Sequence, residues 1–280
     1  MKKVVLTALI IVSLLVLYIF WGGGELTKLT VNNKIEKLRE IADFKKKEIF
    51  TYSQLNNLPP LLKKYFHNVI LDSTTFPHFL TVAQNGKIKT SDTTQWFPLE
   101  AQEFFTTQSP NYLWDARLQT NKFFWVKTID SYINGKGNML IKVNSSITIT
   151  DAWNIEMNKS GLFRYFSEAL LFPTSLLPSQ NLLWNILDSN KAEIKFKDKN
   201  NSIVAKVFFN REGMIEKIAT EDKYRSTKKG YMKTPYTIYY SNYKLIKDKF
   251  IIPMHYEVEW SLPNGKFRYG KFDVKNIFYE

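Results

Sequence analysis

The sequence has no cysteine and only three histidines. Without cysteine there are no disulfides, no thiol nucleophile, no cysteine-ligated metal and no lipidated N-terminal cysteine. His67, His78 and His255 are far apart and show no metal-ligand spacing. Also missing are a Gly-x-Ser-x-Gly elbow, a His-Glu-x-x-His pair, a P-loop and a dinucleotide-binding glycine pattern. Gly135-Lys136-Gly137 reads as a hairpin rather than a phosphate cradle. No repeat, low-complexity tract or linker divides the chain. A nucleophile with its base and orienter is therefore not legible. The expectation is a protein that is not an enzyme and uses no cofactor or metal.

What is present begins with an apolar run. Val4 to Trp21 is interrupted only by Thr7 and Ser13 and preceded by Lys2 and Lys3. As a helix it would extend about 27 Å, close to the hydrocarbon thickness of a bilayer. Tyr18 and Trp21 stand where an interfacial aromatic belt belongs. Residues 1–24 are read as a membrane anchor. A cleaved signal peptide is the competing reading, because Gly22-Gly23-Gly24 supplies small residues. Long domains translocate largely regardless of flanking charge. The expected localisation is thus a single pass through the cytoplasmic membrane, N-terminus inside, with the domain outside the cytoplasm.

The chain has 280 residues, 44% of them hydrophobic, and a net charge of +13. The basic residues are dispersed, as in Lys45–Lys47, Lys191–Lys199 and Lys223–Lys233, without helix-turn-helix or zinc-finger spacing. Nucleic acid is not an expected partner. A solvated surface and attraction to an anionic membrane surface are the two readings that remain.

Residues 25–57 are read as a helical stalk, with Val31, Ile35, Leu38 and Ala42 at helical spacing and Lys45-Lys46-Lys47-Glu48 at its solvated end. A second helix opens at Ser53 or at Leu58-Pro59-Pro60. It carries Leu61, Leu62, Tyr65, Phe66 and Val69 on one face, and His67 among them reads as packed. From Leu71 onward the period becomes two. Tyr112, Trp114, Ala116 and Leu118 alternate with polar residues, as do Ile147 and Ile149, then Ala192, Ile194 and Phe196, then Met254, Tyr256, Val258 and Trp260. Such strands have one wet face. Asn85-Gly86 and Asn134-Gly135 are type I′ hairpin signals, and 199–201, 211–213 and 263–265 are further turns. Connections this short make neighbouring strands antiparallel. A parity slip predicts a bulge at Gly270.

Within this strand-rich region, 158–177 reads as a helix capped by Asn158 or Ser160 and stopped at Phe172 by Pro173. Arg164 and Glu168 are one turn apart, in the order that opposes the helix dipole. Local helix stability does not explain that order. Either the pair pins the helix to the sheet, or it marks the mouth of a cleft. The expected fold is α+β: an N-terminal transmembrane helix, then a curved antiparallel sheet, residues 58–280, forming a half-barrel covered by two or three helices.

The segment Gly161, Arg164, Tyr165, Glu168, Phe172, Pro173, Thr174, Leu176 and Leu177 resembles the signature of an uncharacterised bacterial family of membrane-anchored proteins, Gly-x-x-Arg-Tyr-x-x-Glu followed by an aromatic pair and Pro-Thr-x-Leu-Leu. Leu171 stands where that family usually has tryptophan. Leu58-Pro59, Trp96, Gln102–Phe105, Pro110, Trp114, Asp130, Tyr132, Gly135, Gly137, Trp184 and Asp188 match in order, so the likeness covers about 58–280. The resemblance implies the half-barrel of periplasmic lipoprotein carriers. It brings no established activity. Together these features give an expected role in binding or shielding an apolar ligand, a membrane lipid or a lipidated protein, at a site of Arg164, Glu168, Tyr165, Phe172, Trp114 and Asp130. The alternative is an envelope domain with a filled core that serves structure or protein interaction.

Overall fold

A computed structural model describes residues 2–91 and 93–280, and of Trp21 only the backbone. The apolar run forms helix α1 (Lys2–Leu17), which passes through a π-helical turn (Tyr18–Gly22) into α2 (Gly23–Ile41). The helix is continuous from Lys2 to Ile41. No residue of α1 is buried against the rest of the chain. The expected belt residue Tyr18 is exposed; the Trp21 side chain lies outside the described residues.

The expected stalk is corrected in two respects. Its helix stops at Ile41, where Ala42 turns extended (ψ 121°), so Lys45–Lys47 follow the helix rather than end it. Nor does α2 stand clear of the domain. Val31, Leu38 and Ala42 are buried against Phe79, Phe104, Leu113 and Ile129. Leu113 occupies the parity of its strand that was expected to be wet. The outer face of the sheet is therefore covered here by α2.

After a short 3-10 turn (Tyr52–Leu55), α3 (Pro60–Val69) begins with proline in its first turn and buries Leu62, Tyr65, Phe66 and Val69. Six strands follow: β1 (Phe79–Ile88), β2 (Phe97–Thr106), β3 (Asn111–Gln119), β4 (Trp125–Ile133), β5 (Lys136–Val143) and β6 (Ile147–Ala152). Helix α4 (Ile155–Glu168) and two 3-10 turns (Ala169–Leu171, Pro173–Leu176) interrupt them. The remaining strands are β7 (Leu182–Asp188), β8 (Lys191–Asp198), β9 (Asn201–Phe209), β10 (Ile215–Thr220), β11 (Tyr224–Thr227), β12 (Gly230–Lys233), β13 (Tyr236–Ile246), β14 (Phe250–Leu262) and β15 (Gly265–Tyr279). Thirteen strands form one sheet in the order β6-β5-β4-β3-β2-β1-β15-β14-β13-β10-β9-β8-β7, with antiparallel pairs throughout. β11 and β12 make a separate hairpin.

The sheet is curved and open, with β6 and β7 at its edges. Its curvature brings distant strands together at one end. Tyr132 in β4 donates to Asp198 in β8 (2.8 Å), and Asn201 Nδ2 donates to the Tyr132 hydroxyl (3.0 Å) and to Gly135 O (2.8 Å). Ladder pairing cannot make these contacts, because β4 and β8 are separated by eight intervening strands. Helices α3 and α4 fill the inner face, where a continuous core contains Phe66, Tyr165, Phe166, Phe172, Phe196 and Phe209.

The Asn134-Gly135 turn has both residues at positive φ, 52° and 82°, as a type I′ turn requires. The Asn85-Gly86 expectation fails. Both residues lie inside β1 and pair on each side, with Asn85 opposite Glu100 and Asp273. Glycine is needed at 86 because a side chain there would meet the carbonyl of Lys271 in β15. The bulge falls beside Gly270: Val258 pairs with Gly270 and Glu259 with Arg268, which leaves Tyr269 as the extra residue. In β6 the expected apolar face is not buried, and Ile147 and Ile149 are exposed on the edge strand.

Candidate functional site

Helix α4 starts earlier than its expected caps. Asn154 is the N-cap and its side chain accepts from Met157 N (2.8 Å). Asn158 and Ser160 lie within the helix and bond outward instead, accepting from Gly137 N (2.7 Å) and Tyr224 N (3.2 Å). The first turn carries the exposed Ile155 and a single inward apolar residue, Met157, too little for the periodicity to show it. Gly137 allows the close approach, since a side chain there would run into the Met157 backbone. These contacts set the helix across the inner face with Arg164 pointing at the middle of β2–β4.

Arg164 holds three carboxylates. Nε donates to Glu168 (3.2 Å to each oxygen), Nη1 to Asp130 Oδ2 (2.9 Å) and Nη2 to Glu103 Oε1 (3.0 Å). Its guanidinium lies 4.5 Å from the Trp114 ring centre and 5.4 Å from that of Tyr112. Tyr112 donates to Asp130 Oδ1 (2.9 Å). Gln84 donates to the second Glu103 oxygen (2.9 Å) and accepts from Trp114 Nε1 (3.1 Å). The Glu103 side chain has 0% exposure and that of Arg164 16%.

Burial drives the electrostatics. Desolvation pushes the Glu103 carboxyl well above the usual carboxylate range, and the neighbouring Glu168 adds to the shift against the opposing pull of Arg164. Burial disfavours the Arg164 cation, but Glu168, Glu103 and Asp130 outweigh it and its pKa rises. Lys223 lies 4.9 Å from the Tyr236 ring centre and 5.3 Å from that of Phe163; burial lowers its pKa to about 8, with Asp130 opposing.

This cluster forms the polar end of a cavity of about 490 Å³ between the inner face and α4. Asp130, Arg164, Glu168 and Lys223 line that end, and Trp114, Ile141, Ile238, Val258 and Phe272 are among its apolar walls. The cavity extends to Ile88, Leu118 and Val126, at the strand ends opposite the Tyr132–Asp198 contact. That volume lies in the range of small-molecule sites, about 300–1,000 Å³.

Of the six expected site residues, four converge here: Arg164, Glu168, Asp130 and Trp114. The other two are corrected. Tyr165 and Phe172 do not line the cavity; both are buried in the core, their rings 5.6 Å apart, and Tyr165 donates to Thr106 O (3.0 Å). On a helix, residue 165 is turned about 100° from 164 and faces different strands. Glu103, Gln84 and Lys223 were not expected. Glu103 does carry a signal, since it shares the inward parity of Leu99, Ala101 and Phe105, where an acid is out of place. None of the histidines lines the cavity. His67 stacks on Tyr52 (4.3 Å), and His255 bonds Asp273 (2.8 Å).

Residues 48–272 match a family described as a family of unknown function (DUF6544), and the chain belongs to that family. None of the curated proteins matches it. Among solved structures, similarity is found to a protein from Vibrio parahaemolyticus described as an outer membrane lipoprotein-sorting protein domain (14% identity, 72% of this chain and 85% of that one, TM-score 0.39). It is also found to a DUF1329 family protein from Desulfovibrio piger (9%, 89% and 93%, TM-score 0.41) and to a β-barrel-like DUF1849 protein from Brucella abortus (7%, 73% and 98%, TM-score 0.23).

Proposed function

We propose that this member of the DUF6544 family is a membrane-tethered domain on the outer side of the cytoplasmic membrane that holds an apolar ligand, a lipid or the acyl chains of a lipidated protein. One observation carries the reading: a cavity of about 490 Å³ with mainly apolar walls and one cluster of charged side chains. Apolar walls favour a chain or ring released from water. The charged cluster favours an amphiphile whose head meets Lys223, whose ammonium has no carboxylate ion-pair partner among the described residues, whereas Arg164 already holds three. The cavity supports this reading over a filled core. No catalytic role is proposed for the carboxylates, because Asp130 and Glu168 both bind the Arg164 guanidinium.

The test is native mass spectrometry of the full chain released from mild detergent, with displacement of a fluorescent fatty acid as a second readout. Wild-type protein is expected to retain lipid and bind the probe. Ile141→Trp, which fills the cavity from a half-buried wall position, is expected to lose both at unchanged melting temperature. Wild-type protein without lipid and without probe binding would reject the proposal.

A further inference from the structure

The apolar helix and the end of the cavity lined by Leu118 and Val126 meet at one place. Ser146, in the β5–β6 turn, donates to Ile19 O (2.7 Å), at the end of the apolar run. Thr27 donates to Ser145 O (2.5 Å), and Lys142 donates to Thr27 (3.0 Å). A side-chain carbon on Gly23 would come within 2.7 Å of Ser146 Cα, so the glycine lets the helix rest against this turn. The same turn holds the next hairpin. Asn144 Nδ2 donates to Phe123 O (3.3 Å), Trp125 N donates to Asn144 Oδ1 (3.1 Å), and Trp125 Nε1 donates to Ser145 Oγ (3.0 Å).

The β3–β4 tip therefore sits beside the point where the helix leaves its apolar stretch. Its Phe123 and Phe124 are 63% and 49% exposed, and Ile147 and Ile149 on the neighbouring β6 are 44% and 62% exposed. Exposure alone does not single out this end, since Leu245 at the opposite end of the sheet is 49% exposed. The junction with the helix does. An apolar helix that spans a bilayer fixes the level of Ile19 at its boundary, and side chains tied to that level meet lipid rather than water. Trp125 and Trp96 lie at the same end, and interfacial tryptophan is favoured. Lys89, Lys122 and Lys266 near these strand ends suit an anionic headgroup layer.

We infer that this end of the sheet is a membrane-docking edge, with Phe123, Phe124 and Ile149 inserted in the interface, so that the cavity opens onto the bilayer from which an amphiphile would enter. The inference rests on the tether in the proposal above and does not require that a ligand be bound.

The absence of cysteine makes the test direct. In the full chain, Phe123→Cys, Ile149→Cys, Leu245→Cys and Val12→Cys are each labelled with an environment-sensitive nitrobenzoxadiazole probe. The proteins are reconstituted in vesicles of phosphatidylcholine and phosphatidylglycerol with or without brominated acyl chains. Labels at 123 and 149 are expected to shift to the blue and lose emission to bromine, as the label at 12 does, while the label at 245 keeps its aqueous emission. Quenching at 12 with none at 123 and 149 would overturn the docking edge and leave the tether standing. No quenching at 12 would overturn both.

Discussion

Arg164 and Glu103 meet at 3.0 Å, Nη2 to Oε1, across 61 residues of sequence. Glu103 is the least accessible of the three carboxylates around the guanidinium. The contact joins α4 to β2, and its Arg164 also lines the cavity. Pinning the helix and lining a cleft were alternatives from the sequence; in the fold one cluster does both.

That cluster predicts an order of stabilities. Arg164→Met leaves Asp130 and Glu168 without their cation and Glu103 without its donor, and should cost about 3–5 kcal/mol in urea denaturation. Glu103→Gln should cost about 1 kcal/mol or less, because burial pushes the Glu103 carboxyl toward its neutral form, which glutamine mimics. Equal losses for the two would show that Glu103 is ionised in the native state.

A pH dependence follows with a definite sign. The folded-state pKa of Glu103 is raised above the usual 4.5. The native state therefore binds this proton more readily than the unfolded chain, and the contribution to stability is lost as pH rises from about 4.5 through the folded value. Comparing wild type with Glu103→Gln over this range, the wild-type stability should decline more steeply. Parallel curves would contradict the assignment.

Lys223 has the opposite sign. Its pKa falls from 10.5 to about 8, so the native state binds this proton less readily and the penalty is complete below pH 8. Without a bound ligand, Lys223→Met should stabilise the protein at pH 7 by about 1–2 kcal/mol, less than the full shift because Nζ still reaches the cavity. The gain should shrink between pH 8 and 10.5. A destabilised variant at pH 7 would indicate a partner for the ammonium.

Two glycines separate packing from propensity. Gly137→Ala brings a methyl group into the Met157 backbone and should cost about 1–3 kcal/mol, as overpacking does. Gly24 has nothing within 4 Å of an added carbon, so Gly24→Ala should be neutral or gain up to about 1 kcal/mol from helix propensity. Thermal melting of both variants checks this contrast.

The orientation of the tether is tested by fusing alkaline phosphatase after Glu280. The enzyme is expected to be active, as it is only outside the cytoplasm. An inactive fusion, with a cytoplasmic reporter active in its place, would reverse the topology.

Local chemistry determined much of this protein. The long apolar run specifies a helix of membrane length, and period-two patterning specifies the strands. Short polar turns make neighbours antiparallel, whereas the expected stop at Phe172 is corrected: α4 ends at Glu168, and Pro173 opens the second of two 3-10 turns that follow. The four-residue spacing places Arg164 and Glu168 on one side of their helix. Only the tertiary structure decided which strands those residues would face. Glu103 and Asp130 lie 61 and 34 residues from Arg164, and alternation gives each strand a parity but no partner. Asn85-Gly86 shows the same limit: a local turn signal yielded to pairing with β2 and β15, whose ladders satisfy more backbone groups than a hairpin there would. Burial of the outer face by α2 was likewise hidden, because Leu113 is an exception to the alternation of its strand until a helix far from it in sequence lies on top. The physical reason is common to all three cases. Side-chain direction is a local property of the backbone, whereas register, curvature and contact across the sheet are set by hydrogen bonds and buried area between segments that the sequence keeps apart.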